Sequence, residues 1–326
     1  MEIEPPERAI QLLTARDYRE TWSGPACWAG GLHSAIFTVV LALFYPLVFA
    51  LCSISINELD FTMKLPTFLI IGVSRSGTTS LYRYLSAHPD VFMAPGKELR
   101  FFSQHFDKGL HWYAQHFTEA GQEKHRGEAT PNYFLMAEVP SRVAAALPSA
   151  QLIVSLRHPV DRLYSTYWML RERGKIDRSF DEIIAEELSA GHGPYLDQSK
   201  YADHFDHWWR YYRPEQFHVL FFEHLLRDPT KVFRSICVFL EIDITVPSIV
   251  GEVVNEYRQI RSLSIRRLSK RLPRKLQNAV GRLNTRPAEY PPLRKKTRQR
   301  LLDFFSEHNA RLNTILDVPL PPSWSE

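Results

Sequence analysis

Short apolar runs alternate with amphipathic stretches from residue 64 onward. Three of the runs have the length and composition of buried strands: Phe68–Val73, Gln151–Leu156 and Phe217–Phe222. Stretches with helical spacing of apolar residues follow them, at 79–86, from Pro159 onward and at 228–240. Buried strands separated by helices are typical of a parallel sheet with helices on both faces. The pattern therefore predicts an α/β fold.

The N-terminal part of the chain has a different pattern. Residues 1–34 form a tail without clear periodicity, and 35–56 is an apolar segment with no charged side chain. About 20 such residues match the hydrocarbon thickness of a bilayer, so this segment is a candidate transmembrane helix. More arginines precede it than cations follow it, which favours a single-pass membrane protein with a cytoplasmic N-terminus. The folded domain would then occupy 64–322.

A second interpretation places the start of the protein at Met63. The sequence from this residue, MKLPTFLIIG, has the form of a natural beginning for the folded domain. The first 62 residues would then be an upstream extension that is not always made, and the protein would be cytoplasmic. The sequence is compatible with both interpretations.

Charge and cysteine content narrow the range of partners. The chain of 326 residues has a formal net charge of +4, and its cations crowd the C-terminal third, beyond Arg261. Such a stretch is either a solvated helix face or a surface that attracts phosphate cofactors, acidic glycans, a membrane or nucleic acid. The three cysteines are widely spaced, and the 13 histidines lack the spacing of metal ligands. We therefore expect no metal site and no disulfide framework.

A glycine-containing segment, Gly72-Val-Ser-Arg-Ser-Gly-Thr-Thr-Ser80, joins the first predicted strand to the first predicted helix. Backbone N–H groups and a helix N-terminus in this position can bind a phosphate group. The spacing is that of a P-loop, but Thr78 replaces the usual lysine and the nearby cation is Arg75. Transfer from ATP needs Mg²⁺ to neutralise the triphosphate, whereas a sulfonate carries less charge. The alternative is a glycine turn with a purely structural role.

A second polar segment, Leu156-Arg-His-Pro-Val-Asp-Arg-Leu-Tyr-Ser165, follows the second predicted strand. Arg157 leaves the carboxyl end of that strand, which is the edge where open α/β sheets bind ligands. Ser165 lies on the following helix and can point back to the same edge. A guanidinium and a hydroxyl there can hold a phosphate monoester. The alternative is a surface ion pair between Arg157 and Asp161.

Four segments, in this order, resemble the PAPS-dependent sulfotransferase superfamily and, within it, the heparan-sulfate-type and related bacterial branch: SRSGTTSLYRYLSAHPDVFMAPGKELRFF, DKGLHWY, GEATPNYF and LRHPVDRLYSTYW. The resemblance covers residues 64–320. It implies a P-loop-like parallel sheet flanked by helices. It also implies transfer of a sulfonate group from 3′-phosphoadenosine-5′-phosphosulfate (PAPS) to a hydroxyl or amine of an acceptor.

The resemblance implies roles for individual residues as well. The 5′-phosphosulfate of the donor would bind the loop residues Arg75, Ser76, Gly77, Thr78, Thr79 and Ser80. Its 3′-phosphate would bind Arg157 and Ser165, with Arg286 as a further contact. Glu98 falls at the position of the catalytic glutamate, where a carboxylate can take the proton of the acceptor. Arg75 would stabilise the charge of the leaving phosphate.

Two features, one residue and one loop, depart from the heparan-type pattern. Ala129 replaces a lysine found in glycosaminoglycan 3-O-sulfotransferases, which counts against that particular acceptor. The basic cofactor loop near the C-terminus is matched only in part, by Asn284-Thr-Arg-Pro287 before Tyr290, without its neighbouring cysteine pair. A carbohydrate or glycoconjugate is still the expected acceptor, and we expect no nucleic-acid partner.

Two other functions share part of this pattern. A P-loop kinase would also use a glycine loop, but this chain lacks both the loop lysine and a strand-end aspartate for Mg²⁺. A non-catalytic membrane protein could bind polyanions through the basic C-terminal stretch. That second function would give no reason for the joint presence of Arg75, Glu98, Arg157 and Ser165.

Overall fold

The computed structural model describes residues 63–252, 258–260, 265, 268–269, 272–287 and 290–325. The chain from Met63 onward forms one compact unit. The segments 1–34 and 35–56 lie outside the described residues, so the transmembrane helix and the localisation stay predictions. Within the described ranges, no helix is long and apolar enough to cross a membrane.

The main sheet contains five strands: β1 Phe68–Gly72, β2 Val91–Met93, β3 His125–Ala129, β4 Gln151–Leu156 and β5 Phe217–Phe221. The helices up to β4 are α1 Thr78–Ser86, α2 Phe101–Gln104, α3 Gly109–Ala114 and α4 Val139–Ala146. Those between β4 and β5 are α5 Pro159–Glu172, α6 Phe180–Ala190, α7 Pro194–Asp197 and α8 Tyr201–Trp208. After β5 come α9 Phe222–Arg227, α10 Pro229–Phe239, β6 Arg258–Ile260, α11 Arg274–Leu283, β7 Thr285–Pro287 and α12 Lys295–Ile315.

The five strands are parallel and lie in the order β2-β3-β1-β4-β5. In the centre of the sheet, Phe68 of β1 lies opposite Gly127 of β3 and Gln151 of β4. A Cβ on Gly127 would lie 2.2 Å from the Phe68 ring, so this close approach requires glycine. Strands β6 and β7 pair antiparallel in a separate two-stranded sheet.

The core lies on both faces of the main sheet because successive strand side chains point in opposite directions. Leu69 and Ile71 of β1 belong to one buried cluster, which also contains Trp208. Ile70 belongs to a second cluster, which contains Cys237. Cys237 is fully buried there and packs as an apolar residue. A third cluster joins α5, α6 and α12.

The α/β fold and its three predicted strands are confirmed, with ends that differ by at most one residue. The sheet also contains two strands that the sequence analysis did not predict, β2 and β3. The order β3-β1-β4 places the carboxyl ends of β1 and β4 side by side, and both predicted polar segments start from that edge.

Candidate active site

A glycine loop joins β1 to α1 at the carboxyl edge of the main sheet. Gly77, the residue before α1, has a φ of 78°, a left-handed conformation that favours glycine. A Cβ here would lie 2.6 Å from Leu225 Cδ2. The Ser155 hydroxyl in β4 donates to the Ser76 carbonyl oxygen at 2.6 Å and ties the loop to the sheet. The first N–H groups of α1 have no acceptor within the helix, so the loop can offer amide donors to an anion.

The Arg75 guanidinium contacts two hydroxyl groups from distant parts of the chain. Its Nε donates to Ser165 Oγ at 2.8 Å, and its Nη2 donates to Tyr290 Oη at 2.9 Å. These two hydroxyl oxygens lie 3.3 Å apart, and Ser165 is buried. The structure thus brings together Arg75 and Ser165, which were expected at opposite ends of the donor. Tyr290 joins them.

Arg157 follows β4 and lies against the same loop. Its Nη1 donates to the Arg75 carbonyl oxygen at 3.1 Å, and its guanidinium lies 4.8 Å from the centroid of the Phe222 ring. Burial lowers the pKa of Arg157; Asp161 opposes this effect and Arg75 adds to it. Because neighbouring positive charges disfavour each other, an anion bound beside both arginines would be stabilised by both.

The alternative role for Arg157, a surface ion pair with Asp161, is not the arrangement found. The Asp161 carboxylate instead pairs with Arg298 of α12, at 2.9 Å from its Nη1. The Tyr201 hydroxyl fixes the Arg157 backbone by donating to its carbonyl oxygen at 2.8 Å. The Arg157 side chain is therefore directed to the glycine loop.

Glu98 lies in the loop between β2 and α2, next to Lys97. The Glu98 carboxylate pairs with Arg100 Nη2 at 2.7 Å and lies 3.7 Å from Lys97 Nζ. Lys97 Nζ in turn donates to Thr79 Oγ1 in the first turn of α1, at 3.0 Å. Lys97 therefore connects Glu98 to the glycine loop, and the predicted base and the predicted donor loop form one site.

The loop that carries Glu98 has a strained backbone. The φ angles of Glu98 and Arg100 are 69° and 55°, in the left-handed region that side chains disfavour. Four non-glycine residues in the described part of the chain have positive φ, and three belong to this site, Arg75 being the third. Backbone N–H groups of Glu98 and Arg100 donate to the Ala129 carbonyl oxygen and to Thr130 Oγ1, at 2.9 and 3.2 Å. Strain held in this way is typical of functional sites.

A buried carboxylate in β3, Glu128, supports the same loop. Tyr113 Oη donates to Glu128 Oε1 at 3.0 Å, and Thr130 Oγ1 donates to Oε2 at 3.2 Å. Burial raises the pKa of Glu128 to about 7, while hydrogen bonds from Tyr133, Tyr113 and Thr130 oppose the rise. Because Thr130 also accepts the Arg100 N–H, a single side chain links Glu128 to the loop of the predicted base.

Aromatic side chains hold the segment of Tyr290 against α5. The Trp168 ring stacks on the Tyr290 ring, with centroids 6.2 Å apart and an interplanar angle of 20°. The Tyr164 hydroxyl donates to the Pro291 carbonyl oxygen at 2.7 Å. In the described ranges, no group of three or more His, Cys, Asp or Glu side chains could hold a metal ion.

The structure brings together most of the residues predicted for the site: Arg75, Ser76, Gly77, Thr78, Thr79, Glu98, Arg157 and Ser165. Ser80 lies in the first turn of α1. Arg286 lies in β7, and its side chain is outside the described part of the structure. Two residues of the site were not predicted from the sequence: Lys97, which directly precedes Glu98, and Tyr290, which lies 215 residues from Arg75.

The match to known families agrees with this geometry. The sulfotransferase domain family matches residues 65–276, a range that contains the glycine loop, Glu98 and Arg157. The chain therefore belongs to the sulfotransferase domain family.

The relatives and a solved structure point to the same class. Over 281 residues, 80% of the chain, it is 29% identical to human bifunctional heparan sulfate N-deacetylase/N-sulfotransferase 3 and covers 31% of that protein. Over 184 residues, 54% of the chain, it is 33% identical to human heparan sulfate glucosamine 3-O-sulfotransferase 3B1 and covers 46% of it. A sulfotransferase from Alicyclobacillus acidocaldarius has the same fold, with a TM-score of 0.61 and 26% identity, over 81% of this chain and all of that one. The chain thus spans less than half the length of these two human relatives.

Proposed function

We propose that this protein transfers a sulfonate group from PAPS to a hydroxyl or amine of a carbohydrate or glycoconjugate. One observation carries the proposal: Lys97 links the Glu98 carboxylate to a glycine loop that also contacts Arg157 and Ser165. A base, a loop that can bind an anion and a second cationic position thus occur in one site.

The residues present fit a nucleotide with phosphate groups at two positions. The amides of the loop before α1 suit the 5′-phosphosulfate, because a helix N-terminus and a glycine turn together favour an anion. Arg157 and Ser165 suit the 3′-phosphate, since a guanidinium and a hydroxyl donate to phosphate oxygens. The Tyr290 hydroxyl is a further donor beside them. Arg286 is proposed as an additional contact from β7.

The chemistry assigned to this chain is proton removal and charge stabilisation. PAPS, when bound, supplies an activated sulfonate group. Glu98 would take the proton from the acceptor hydroxyl or amine as the acceptor attacks sulfur. Arg75 would stabilise negative charge on the departing phosphate; a guanidinium keeps its proton at neutral pH, so this contribution is electrostatic.

A P-loop kinase is the second candidate, but the site lacks two groups that such a kinase needs. Position 78 is threonine where a kinase of this type carries lysine, and β4 continues into Arg157 where a magnesium ligand would be needed. The third candidate, a non-catalytic polyanion-binding protein, gives no reason for the strained loop that holds Glu98 beside the glycine loop.

The acceptor class rests on the relatives. Both human relatives described above are named for heparan sulfate, and we carry over only the broader class, a carbohydrate or glycoconjugate. Ala129 at the end of β3 stands where the 3-O-sulfotransferases carry lysine, so we do not assign the 3-O position.

Calorimetric titration of the full chain with adenosine 3′,5′-bisphosphate, and separately with ATP and Mg²⁺, tests the donor class. We expect the bisphosphate to bind without Mg²⁺, and Arg157→Gln to weaken its binding by about 10-fold to 100-fold, because a charge-assisted contact is lost. Arg173→Gln, at an exposed position, is the matched control. Preference for ATP with Mg²⁺ would replace this proposal with the kinase.

Turnover with a panel of glycan acceptors tests the role of the base. Glu98→Gln should lower kcat by about 100-fold or more, as expected for loss of a general base, and leave bisphosphate affinity nearly unchanged. Glu119→Gln, at an exposed position, is the control. A binding protein without catalytic activity would show no turnover in any variant.

A further inference from the structure

The ammonium group of Lys97 is placed as a ligand for an anion at the start of α1. Its Nζ donates to Thr79 Oγ1 at 3.0 Å and lies 3.5 Å from Thr78 Oγ1. The Lys97 side chain is 19% exposed, although it belongs to a loop. A lysine that is this well covered normally has a close carboxylate partner.

The only carboxylate recorded beside Lys97 in the described part of the chain is Glu98, and that carboxylate is shared. It lies 3.7 Å from Lys97 Nζ but 2.7 Å from Arg100 Nη2, so the shorter ion pair is with Arg100. The closest contacts of the ammonium are neutral hydroxyl groups. Neutral acceptors compensate an ammonium group only in part for the loss of water, so a second anion here would be stabilised.

Arg75, the cation within the glycine loop, points in a different direction from Lys97. Its guanidinium donates to Ser165 of α5 and to Tyr290, which is the side proposed for the 3′-phosphate. Lys97 contacts the side chains of Thr78 and Thr79, which belong to the loop proposed for the 5′-phosphosulfate. The two cations therefore point to different parts of the site in this structure, and the leaving-group role proposed for Arg75 requires its guanidinium to turn toward the 5′-phosphate when the donor binds.

We propose that Lys97 binds the sulfonate end of the donor and supplies a second cation to the glycine loop from a neighbouring loop. The inference rests on the proposed function. In the reaction, the acceptor oxygen or nitrogen forms a bond to sulfur and gives its proton to Glu98. The bond between sulfur and the 5′-phosphate oxygen breaks, and its electron pair stays on that oxygen. The Lys97 ammonium stabilises the charge on the sulfonate oxygens during this exchange.

Because Lys97 is next to Glu98 in the chain, its position also affects where the acceptor must bind. The ammonium of Lys97 lies between the carboxylate that takes the proton and the loop that binds the donor. A sulfonate bound by Lys97 is therefore held beside Glu98, where the attacking group must also be. Lys97 thus acts on the reacting group and also positions it.

The test compares the affinity of PAPS with that of adenosine 3′,5′-bisphosphate, which lacks the sulfonate. Both are titrated calorimetrically into the full chain without acceptor, with chromatography to confirm that PAPS stays intact. Lys97→Gln should weaken PAPS binding by about 10-fold or more, as expected for loss of a charged contact, and change bisphosphate binding by less than about threefold. Lys97→Arg keeps the charge and should retain most of the PAPS affinity.

The control is Lys124→Gln, which removes an exposed lysine that pairs with Asp90 outside the site. It should alter neither affinity, and thermal unfolding of each variant verifies that it is folded. Equal losses for both ligands in Lys97→Gln would place Lys97 at the 5′-phosphate and overturn the assignment, as would unchanged PAPS affinity. If the unmodified chain binds neither ligand, the proposed function itself fails, which is a different result.

Discussion

Replacement of Glu128 by glutamine tests whether burial of this carboxyl group raises its pKa and makes the stability of the protein depend on pH. The side chain is 1% exposed and accepts hydrogen bonds from Tyr113 and Thr130. Burial raises its pKa from 4.5 to about 7. Because the folded-state pKa lies above the unfolded one, the folded protein binds a proton more readily. Its contribution to stability is fully present below about pH 4.5 and is lost as pH rises through 7.

The size of the effect follows from the difference between the two pKa values. A full shift from 4.5 to about 7 corresponds to about 3 kcal/mol at 1.36 kcal/mol per pKa unit. At pH 5 the carboxyl group of the unfolded chain is already largely ionised, so part of the loss has occurred by that pH. Between pH 5 and pH 8 we therefore expect the contribution of Glu128 to the free energy of unfolding to fall by about 2 to 3 kcal/mol. Glutamine has the same shape and no titration, so Glu128→Gln should lack this loss.

Urea unfolding of both proteins at pH 5 and pH 8 measures the effect. The quantity of interest is the change in unfolding free energy between the two pH values, compared between the original protein and Glu128→Gln. Other titrating groups, such as the partly buried His204 and His218, whose pKa values burial lowers to about 4, contribute equally to both proteins and cancel. Equal pH dependence in the two proteins would show that Glu128 titrates normally and would refute the reasoning.

Three further variants test the packing and the ion pairs. Gly77→Ala should weaken adenosine 3′,5′-bisphosphate binding by about 10-fold or more in calorimetry, because its Cβ would lie 2.6 Å from Leu225 Cδ2 and its φ is positive; unchanged affinity would contradict the loop geometry. Trp208→Ala, at a fully buried position, should lower the free energy of unfolding in urea by about 3 to 5 kcal/mol, and a loss under about 1 kcal/mol would contradict the packing. Arg298→Gln should cost less than about 1 kcal/mol in the same assay, because its ion pair with Asp161 is partly exposed; a larger loss would mean that this pair carries more of the fold.

The sequence by itself determined those elements whose pattern lies within a few adjacent residues. Strands β1, β4 and β5 are continuous apolar runs because a parallel strand is buried on both faces. The glycine loop was predictable for a similar reason: its chemistry depends on a few adjacent residues between a strand and a helix. Family membership followed from the same short segments in their order.

Only the tertiary structure decided where the sheet ends and what surrounds Arg75. Strand β2 has three residues, too few for a periodic pattern, and β3 carries His125, Arg126 and Glu128, so it has no apolar run. Strand β3 pairs with β1, and β2 pairs with β3; both pairings depend on packing against the whole sheet. Tyr290 reaches Arg75 across 215 residues, and such a contact leaves no mark on the local sequence.

The candidate base was predictable from the sequence, whereas its surroundings depend on the tertiary structure. The sequence identified Glu98 through its motif, but the ion pairs with Arg100 and Lys97, and the link to Thr79, result from a left-handed backbone that β3 holds in place. An unfolded chain would not keep such a conformation, since side chains disfavour it locally. The sequence therefore identified the candidate residues for the chemistry, and the packed fold decided how they face one another.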